Sequence, residues 1–302
     1  MEITILGCHS ATPRANARPS SQVVDMRGHL FLVDCGEATQ VALRNANVKF
    51  SRIKHVFISH LHGDHFFGLP GLISTFQLLG RETELHIYGP KGIKEAILLL
   101  LKLGGAWTSF PLYFHELESK EKELIFEDDK VTVTTIPLRH RVYTNGFLFS
   151  EKEKERRLNM DAILSYGLEV CDYQNIKNGK DILSNSGQRI ANAELSFDPL
   201  PPQSYAYCSD TLYFPELASE ISGAKVLYHE STFLESHKDL AEKTMHSTAR
   251  QAAQTACDAG AETLILGHYS SRYSDKKSFL EEAKQVFLNV ILAEDGKVIR
   301  FL

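Results

Sequence analysis

His60-Leu61-His62-Gly63-Asp64-His65 closes the run Lys54 to Ser59 and opens an apolar stretch from Phe66 to Leu79. The run before it reads as a strand and the stretch after it as a helix. Four side chains of metal-binding type therefore leave one strand end. Imidazole and carboxylate suit zinc, and a strand-to-helix turn can aim positions i and i+2 at one ion while i+4 and i+5 reach a second. Gly63 lets the backbone bend between the two pairs. HxHxDH should arise by chance in about one in a thousand chains of this composition.

Around this motif, short apolar runs rich in β-branched residues alternate with helix-like stretches. Ile3 to Leu6, Leu30 to Val33, Val56 to Ile58 and Val131 to Ile136 read as strands; Glu37 to Ala46 and Gly92 to Leu103 read as helices. The second half repeats the style, with strands at Ser204 to Cys208, Lys225 to Tyr228 and Thr263 to Leu266 and helices at Thr248 to Ala259 and Lys276 to Phe287. A layered α/β fold follows, read as a single domain over 1–302. The segment 151–194 differs. It is polar, weakly periodic apart from a short helical candidate at Leu158 to Tyr166, and carries seven Lys/Arg against eight Asp/Glu. It is expected to be an inserted arm, either a solvated excursion or an RNA-gripping exosite.

Composition narrows the class. The 302 residues, 43% of them apolar and 24% charged, suffice for a large core. The N-terminus turns polar at once and no run of 18 apolar residues occurs, so secretion and membrane insertion are not expected. Five scattered cysteines without CxxC spacing are expected to be small buried thiols in a reducing cytoplasm. A net charge of -5 excludes a diffuse basic surface for nucleic acid, so any RNA contact is local. Two divalent cations at one spot would supply that attraction themselves.

A two-metal site needs further ligands, and three candidates follow strands: His140, Asp210 and His268. Each alone reads as a hydrogen-bonded structural residue or a turn. The order HxHxDH, then His, then Asp, then His resembles that of the metallo-β-lactamase superfamily over nearly the whole chain. The resemblance implies a four-layer αββα sandwich with two zinc ions at one edge of its sheets, manganese or iron being possible substitutes. It implies that His60, His62 and His140 hold one zinc, that Asp64, His65 and His268 hold the other, and that Asp210 bridges them. His62 stands where the di-iron redox branch usually carries Glu, which favours zinc and hydrolysis.

Finer motifs resemble the ribonuclease Z family of tRNA 3′-processing endonucleases: Leu6-Gly7 with Pro19-Ser20-Ser21, Tyr228 to Thr232, His246-Ser247-Thr248, and Gly267 to Tyr273. The branch with a large second domain would need a longer gap than the 70 positions from His140 to Asp210. The resemblance implies a homodimeric endoribonuclease that cuts the 3′ trailer from precursor tRNA and leaves a 3′-hydroxyl. Asp64 would accept the water's proton while binding metal. His246, oriented by Glu230, would protonate the departing oxygen. His246 could instead merely precede a helix capped by Ser247 or Thr248, and His229, Arg272 and Tyr273 have no assigned role. His9 lies in the loop 7–19, where the family has a glycine-rich turn. The alternatives are a small-molecule phosphodiesterase, arylsulfatase or lactonase on the same fold, or a non-catalytic metal-binding scaffold, which would not need Asp64, Glu230 and His246 together.

Overall fold

The computed structural model describes residues 1–184 and 187–301. The chain begins with an antiparallel meander, β1 (Glu2–Gly7), β2 (Ser21–Met26) and β3 (His29–Cys35). Helices then alternate with strands: α1 (Thr39–Asn45), β4 (Ile53–Phe57), the single turn α2 (Gly63–Phe66), α3 (Leu69–Leu78), β5 (Leu85–Pro90), α4 (Ile93–Leu103) and β6 (Leu112–Leu117). β7 (Leu124–Glu127), β8 (Val131–Pro137) and β9 (Asn145–Glu151) begin a second sheet.

Glu151–Gln203 forms a compact unit of its own. It holds the two-residue strands β10 (Arg157–Leu158), β11 (Ile182–Leu183), β12 (Arg189–Ile190) and β13 (Ser196–Phe197) and the helices α5 (Met160–Ser165), α6 (Tyr173–Lys177) and α7 (Asn192–Leu195). Ile163, Ile176, Ile182, Ile190 and Leu195 make its small core.

The remaining elements belong to the first unit: β14 (Ser204–Cys208), α8 (Leu217–Glu220), β15 (Val226–Glu230), α9 (Lys238–Thr244), α10 (Ala249–Asp258), β16 (Thr263–Gly267), α11 (Lys277–Ala283), β17 (Val290–Leu292) and β18 (Val298–Arg300). Its two seven-stranded sheets run β18-β1-β2-β3-β4-β5-β6 and β17-β16-β15-β14-β9-β8-β7.

The sheets pack face to face through aromatic rings. Phe31 and Phe57 of the first sheet lie 5.3 Å from Phe149 and 5.4 Å from Phe147 of the second. Leu43, Leu72, Phe76 and Ile97 of α1, α3 and α4 bury the outer face of the first sheet. Leu217, Ala252, Ala256 and Phe279 of α8, α10 and α11 join the core around the second. The result is the four-layer αββα order. β8 alternates buried Val131 and Val133 with half-buried Thr132 and Thr134, the period of a strand with one face inward. β3, buried along nearly its whole length, is instead an apolar run, as a central strand covered on both sides should be.

Strands β3 to β6 are parallel to one another, and so are β14 to β17. The carboxyl ends of such strands are where an α/β sheet gathers functional side chains. His60 follows β4, Asp210 follows β14, Glu230 ends β15 and His268 follows β16.

Two expectations need correction. The apolar stretch Phe66 to Leu79 is not one helix but two, α2 and α3, interrupted at Phe67 and Gly68. The cause is a close backbone approach: the Gly68 amide donates to the Cys35 carbonyl at 2.8 Å, and a Cβ on Gly68 would stand 2.0 Å from the Gly36 carbonyl oxygen. Gly68→Ala is therefore expected to lower stability by about 3 kcal/mol, the upper part of the overpacking range, because backbone rather than a movable side chain blocks the methyl. An unchanged urea midpoint would refute this. The second correction concerns the thiols. All five are free, but only Cys8, Cys35 and Cys208 are buried, while Cys171 and Cys257 are exposed. Cys257 lies on the amphipathic α10, whose alanines take the buried face. Among the described residues, no helix is long and apolar enough to cross a membrane.

Candidate metal centre

The strand ends bring all seven residues proposed as ligands into two overlapping clusters. His60, His62, His140 and Asp210 place donor atoms within 4.8 Å of one another, and so do Asp64, His65, Asp210 and His268. Asp210 belongs to both. Its Oδ2 lies 3.6 Å from His60 Nε2 and 3.9 Å from His140 Nε2, whereas its Oδ1 lies 3.5 Å from His65 Nε2 and 3.2 Å from His268 Nε2. Asp64 Oδ2 completes the second cluster at 3.3 Å from His65 Nε2 and 3.4 Å from His268 Nε2. In the first, His62 turns Nδ1 toward His60 Nε2 at 2.9 Å.

The far nitrogens of these rings are held by the fold. His140 Nδ1 donates to the Met245 carbonyl at 2.8 Å, and His65 Nδ1 donates to Asp34 Oδ2 at 2.7 Å. His268 Nδ1 meets Thr232 Oγ1 at 2.8 Å and His60 Nδ1 meets Ser59 Oγ at 3.0 Å. A carbonyl and a carboxylate can only accept, so His140 and His65 each carry a proton on Nδ1 and turn Nε2 into the cluster, where the neutral ring presents a lone pair. His65 Nε2, His140 Nε2 and Asp210 Oδ1 are buried there with no hydrogen-bond partner. Buried lone pairs facing one another are costly, and divalent cations resolve them. The local field agrees. Burial alone would push the His65 pKa down, yet the carboxylates of Asp64, Asp210 and Asp34 outweigh burial and raise it well above its usual value. Likewise, burial would raise Asp64, but His65 and His268 pull it well down, which favours its charged form. The donor set of imidazoles and carboxylates thus fits two divalent metal ions, and His268 meets its partners only by adopting a left-handed backbone with φ of 59°.

Beside the clusters stands a third group. Glu230 is fully buried, and its Oε1 accepts from His246 Nδ1 at 2.8 Å, the Ser247 amide at 3.0 Å and the Thr211 amide at 3.1 Å. Its Oε2 takes the Thr232 amide and hydroxyl. Burial would lower the His246 pKa, but the charge and hydrogen bond of Glu230 prevail and raise it to about 9. His246 lies 5.1 Å from His140 and 5.5 Å from His268, ring centre to ring centre. The helix that follows is capped by Thr248, whose hydroxyl accepts from the Gln251 amide. Capping therefore does not occupy His246.

Comparison with known proteins separates the possibilities. A family model described as Anti-Pycsar protein Apyc1 matches residues 1–175, so this part of the chain is a member of that family. The match ends before Asp210, Glu230, His246 and His268, and relatives spanning the whole chain cover those positions. Ribonuclease Z of Bacteroides fragilis is 47% identical over 298 residues, 99% of this chain and 98% of its own length. Ribonuclease Z of Bacteroides thetaiotaomicron is 46% identical over 99% of this chain and 94% of its own. The chain belongs to the ribonuclease Z family. The solved structure of human tRNase Z, short form, superposes with a TM-score of 0.73 at 28% identity, covering 99% of both chains. The metallo-beta-lactamase fold protein YhfI of Bacillus subtilis, at 19% identity, a TM-score of 0.69 and coverage of 99% and 98%, shares the fold.

For this member of the ribonuclease Z family the structure also sorts the residues left open above. His229 alternates with Glu230 along β15, is fully buried, and takes part in neither cluster; its Nδ1 donates to the Glu230 carbonyl at 2.7 Å. Tyr273 is structural, its hydroxyl meeting the Leu234 amide at 3.1 Å and His237 Nδ1 at 2.8 Å, and Arg272 is exposed. His9 packs edge-on against Tyr269. Asp34 was missed. It is fully buried and accepts from the Ser59 amide and hydroxyl, His65 Nδ1 and the Tyr207 hydroxyl. The available signal was a carboxylate closing an otherwise apolar strand, Leu30-Phe31-Leu32-Val33-Asp34. Asp34→Ala is expected to weaken divalent-metal binding by about 10- to 100-fold, the usual effect of removing a partner that orients a ligand. Titration against a competing chelator measures it, and wild-type affinity would show that Asp34 does not support His65.

Proposed function

We propose that the chain is a zinc-dependent endoribonuclease that cuts the 3′ trailer from precursor tRNA and leaves the tRNA with a 3′-hydroxyl. The observation that carries this reading is the Glu230–His246 pair, 2.8 Å apart beside the two clusters. Simple hydrolysis of an activated ester needs no such acid, but expulsion of a ribose alkoxide does. His60, His62, His140 and Asp210 would hold one zinc, and Asp64, His65, Asp210 and His268 the other. Two such ions supply a water of lowered pKa and neutralise charge building on the phosphoryl oxygens.

The chain's own groups manage the protons. Asp64, ionised and at the edge of the second cluster, is placed to accept the proton of the attacking water as its oxygen bonds to phosphorus. His246 uses Nδ1 to hold Glu230, so Nε2 is the atom that gives its proton to the departing O3′ as the P–O3′ bond breaks. The products are a tRNA 3′-hydroxyl and a trailer bearing the phosphate. Imidazole and carboxylate donors support zinc as the resident ion, with manganese or iron as substitutes. Incubating zinc-loaded protein with a precursor tRNA and mapping the cut tests the reading. Cleavage beside the discriminator base is expected, and turnover only of lactones, aryl sulfates or small diesters would overturn it. We also propose that the protein is a cytoplasmic homodimer; sedimentation of the intact protein tests the dimer, and cell fractionation tests the compartment.

The inserted unit is a less favourable grip on RNA than its position in the sequence suggested. Lys154, Arg156, Lys177 and Arg189 pair with Glu151, Asp198, Glu155 and Asp181, all within the unit. Charge spent in this way favours a solvated excursion.

A further inference from the structure

A cavity of about 980 Å³ opens on the His140 side of the clusters. Its volume is at the upper end of the range of small-molecule sites, far more than a water and a phosphate require. The chain segment that builds it, Leu138-Arg139-His140-Arg141-Val142, places a cation on either side of a proposed metal ligand. The two arginines have different surroundings. Arg139 lies 4.2 Å over the centre of the Phe214 ring and pairs with Glu216 at 3.4 Å. Arg141 and Lys120, both exposed and both lining the cavity, have no hydrogen bond or ion pair among the described residues.

Glu121, Glu216 and Glu220 line the same space. The glutamate paired with Arg139 cancels that charge, and the other two keep the cavity from being a polyanion groove. Lys122 lines the space as well and donates to the Glu220 carbonyl at 2.6 Å. The cavity cations left without a partner among the described residues are Arg141 and Lys120, enough for one phosphate. Next to them is a guanidinium plane backed by an aromatic ring, with Leu138 and Val142 as an apolar wall. Unpaired bases stack on such planes, and phosphates take Arg and Lys.

We propose that this cavity is a mononucleotide subsite that seats the RNA nucleotide next to the scissile phosphate. The phosphate of that nucleotide lies on Arg141 and Lys120 and its base on Arg139, which Phe214 supports. The assignment rests on the nuclease reading of the adjoining clusters. It places the local cation patch, which the overall negative charge of the chain demands, beside the metal centre instead of on the inserted unit.

The test is equilibrium binding of a fluorescently labelled short single-stranded RNA with phosphorothioate linkages to intact zinc-loaded protein over a range of salt. The double variant Arg141→Ala, Lys120→Ala should bind about tenfold more weakly and lose about one from the slope of log K against log salt, the mark of one lost phosphate contact. Phe214→Leu should weaken binding with the slope unchanged, and Arg141→Lys should keep the wild-type slope. Thermal melting of each variant confirms that it is folded. Wild-type affinity and slope in the double variant would overturn the subsite, as would failure of the wild type to bind the RNA. A wild type that binds the RNA as described but leaves precursor tRNA uncut would retain the subsite and sink the tRNA-processing reading. Cleavage of precursor tRNA by a double variant with unaltered RNA binding would do the reverse.

Discussion

Replacing His246 with alanine is expected to lower kcat on precursor tRNA by about 10²- to 10⁴-fold, the range for loss of a positioned general acid. The loss should depend on the leaving group. An O3′ alkoxide needs a proton, whereas nitrophenolate leaves well without one. Hydrolysis of a nitrophenyl phosphodiester should therefore fall by less than about tenfold in the same variant. Equal losses on both substrates would mean that His246 shapes the site instead of donating a proton.

The pH profile gives a second reading of the same residue. The acid must be protonated to act, and Glu230 raises its pKa to about 9. Activity that depends on it is present below that value and declines as pH rises through it. Bound cations nearby would pull the value down, so the falling limb of kcat/KM is expected at or below pH 9. His246→Ala should lack this limb. Glu230→Gln removes the charge that opposes burial and should shift the limb to lower pH.

Asp210→Ala is expected to have the other large effect. Asp210 is the residue common to both clusters, one oxygen facing each. Its loss should reduce bound zinc from about two ions per chain to less than one and lower turnover by about 10³-fold or more, the several kcal/mol that metal ions contribute to such transition states. Stability should change in parallel. An ion present at about a thousand times its dissociation constant stabilises the folded state by about 4 kcal/mol. Chelation should thus lower the melting temperature of the wild type but leave that of Asp210→Ala almost unchanged. Two zinc ions retained by the variant, measured by elemental analysis, would rule out the bridging role.

The motif from His60 to His65 was legible because its residues are neighbours, and a strand followed by a helix has few ways to present them. His140, Asp210 and His268 were legible only as singles after strands, and the order of residues gave them meaning through resemblance. Glu230 and His246, sixteen positions apart, are within hydrogen-bond distance because β15 ends next to the turn that precedes α10. Asp34 was visible only as a carboxylate closing an apolar strand, with no sign of its partners. Nothing in its neighbours announces that the chain 25 residues on will return Ser59 and His65 to it.

The sequence by itself determined the layered α/β class, through periodicity, and four ligand-type residues, His60, His62, Asp64 and His65, through local spacing. Tertiary structure alone decided which nitrogen of each ring faces the clusters, because that depends on acceptors supplied by distant segments: Asp34 for His65, the Met245 carbonyl for His140 and Thr232 for His268. It also decided that two of the chain's exposed cations, Arg141 and Lys120, share a cavity with a proposed metal ligand. Charge and spacing are properties of the chain, but the direction of a lone pair and the pairing of a charge are set only when remote strands pack together.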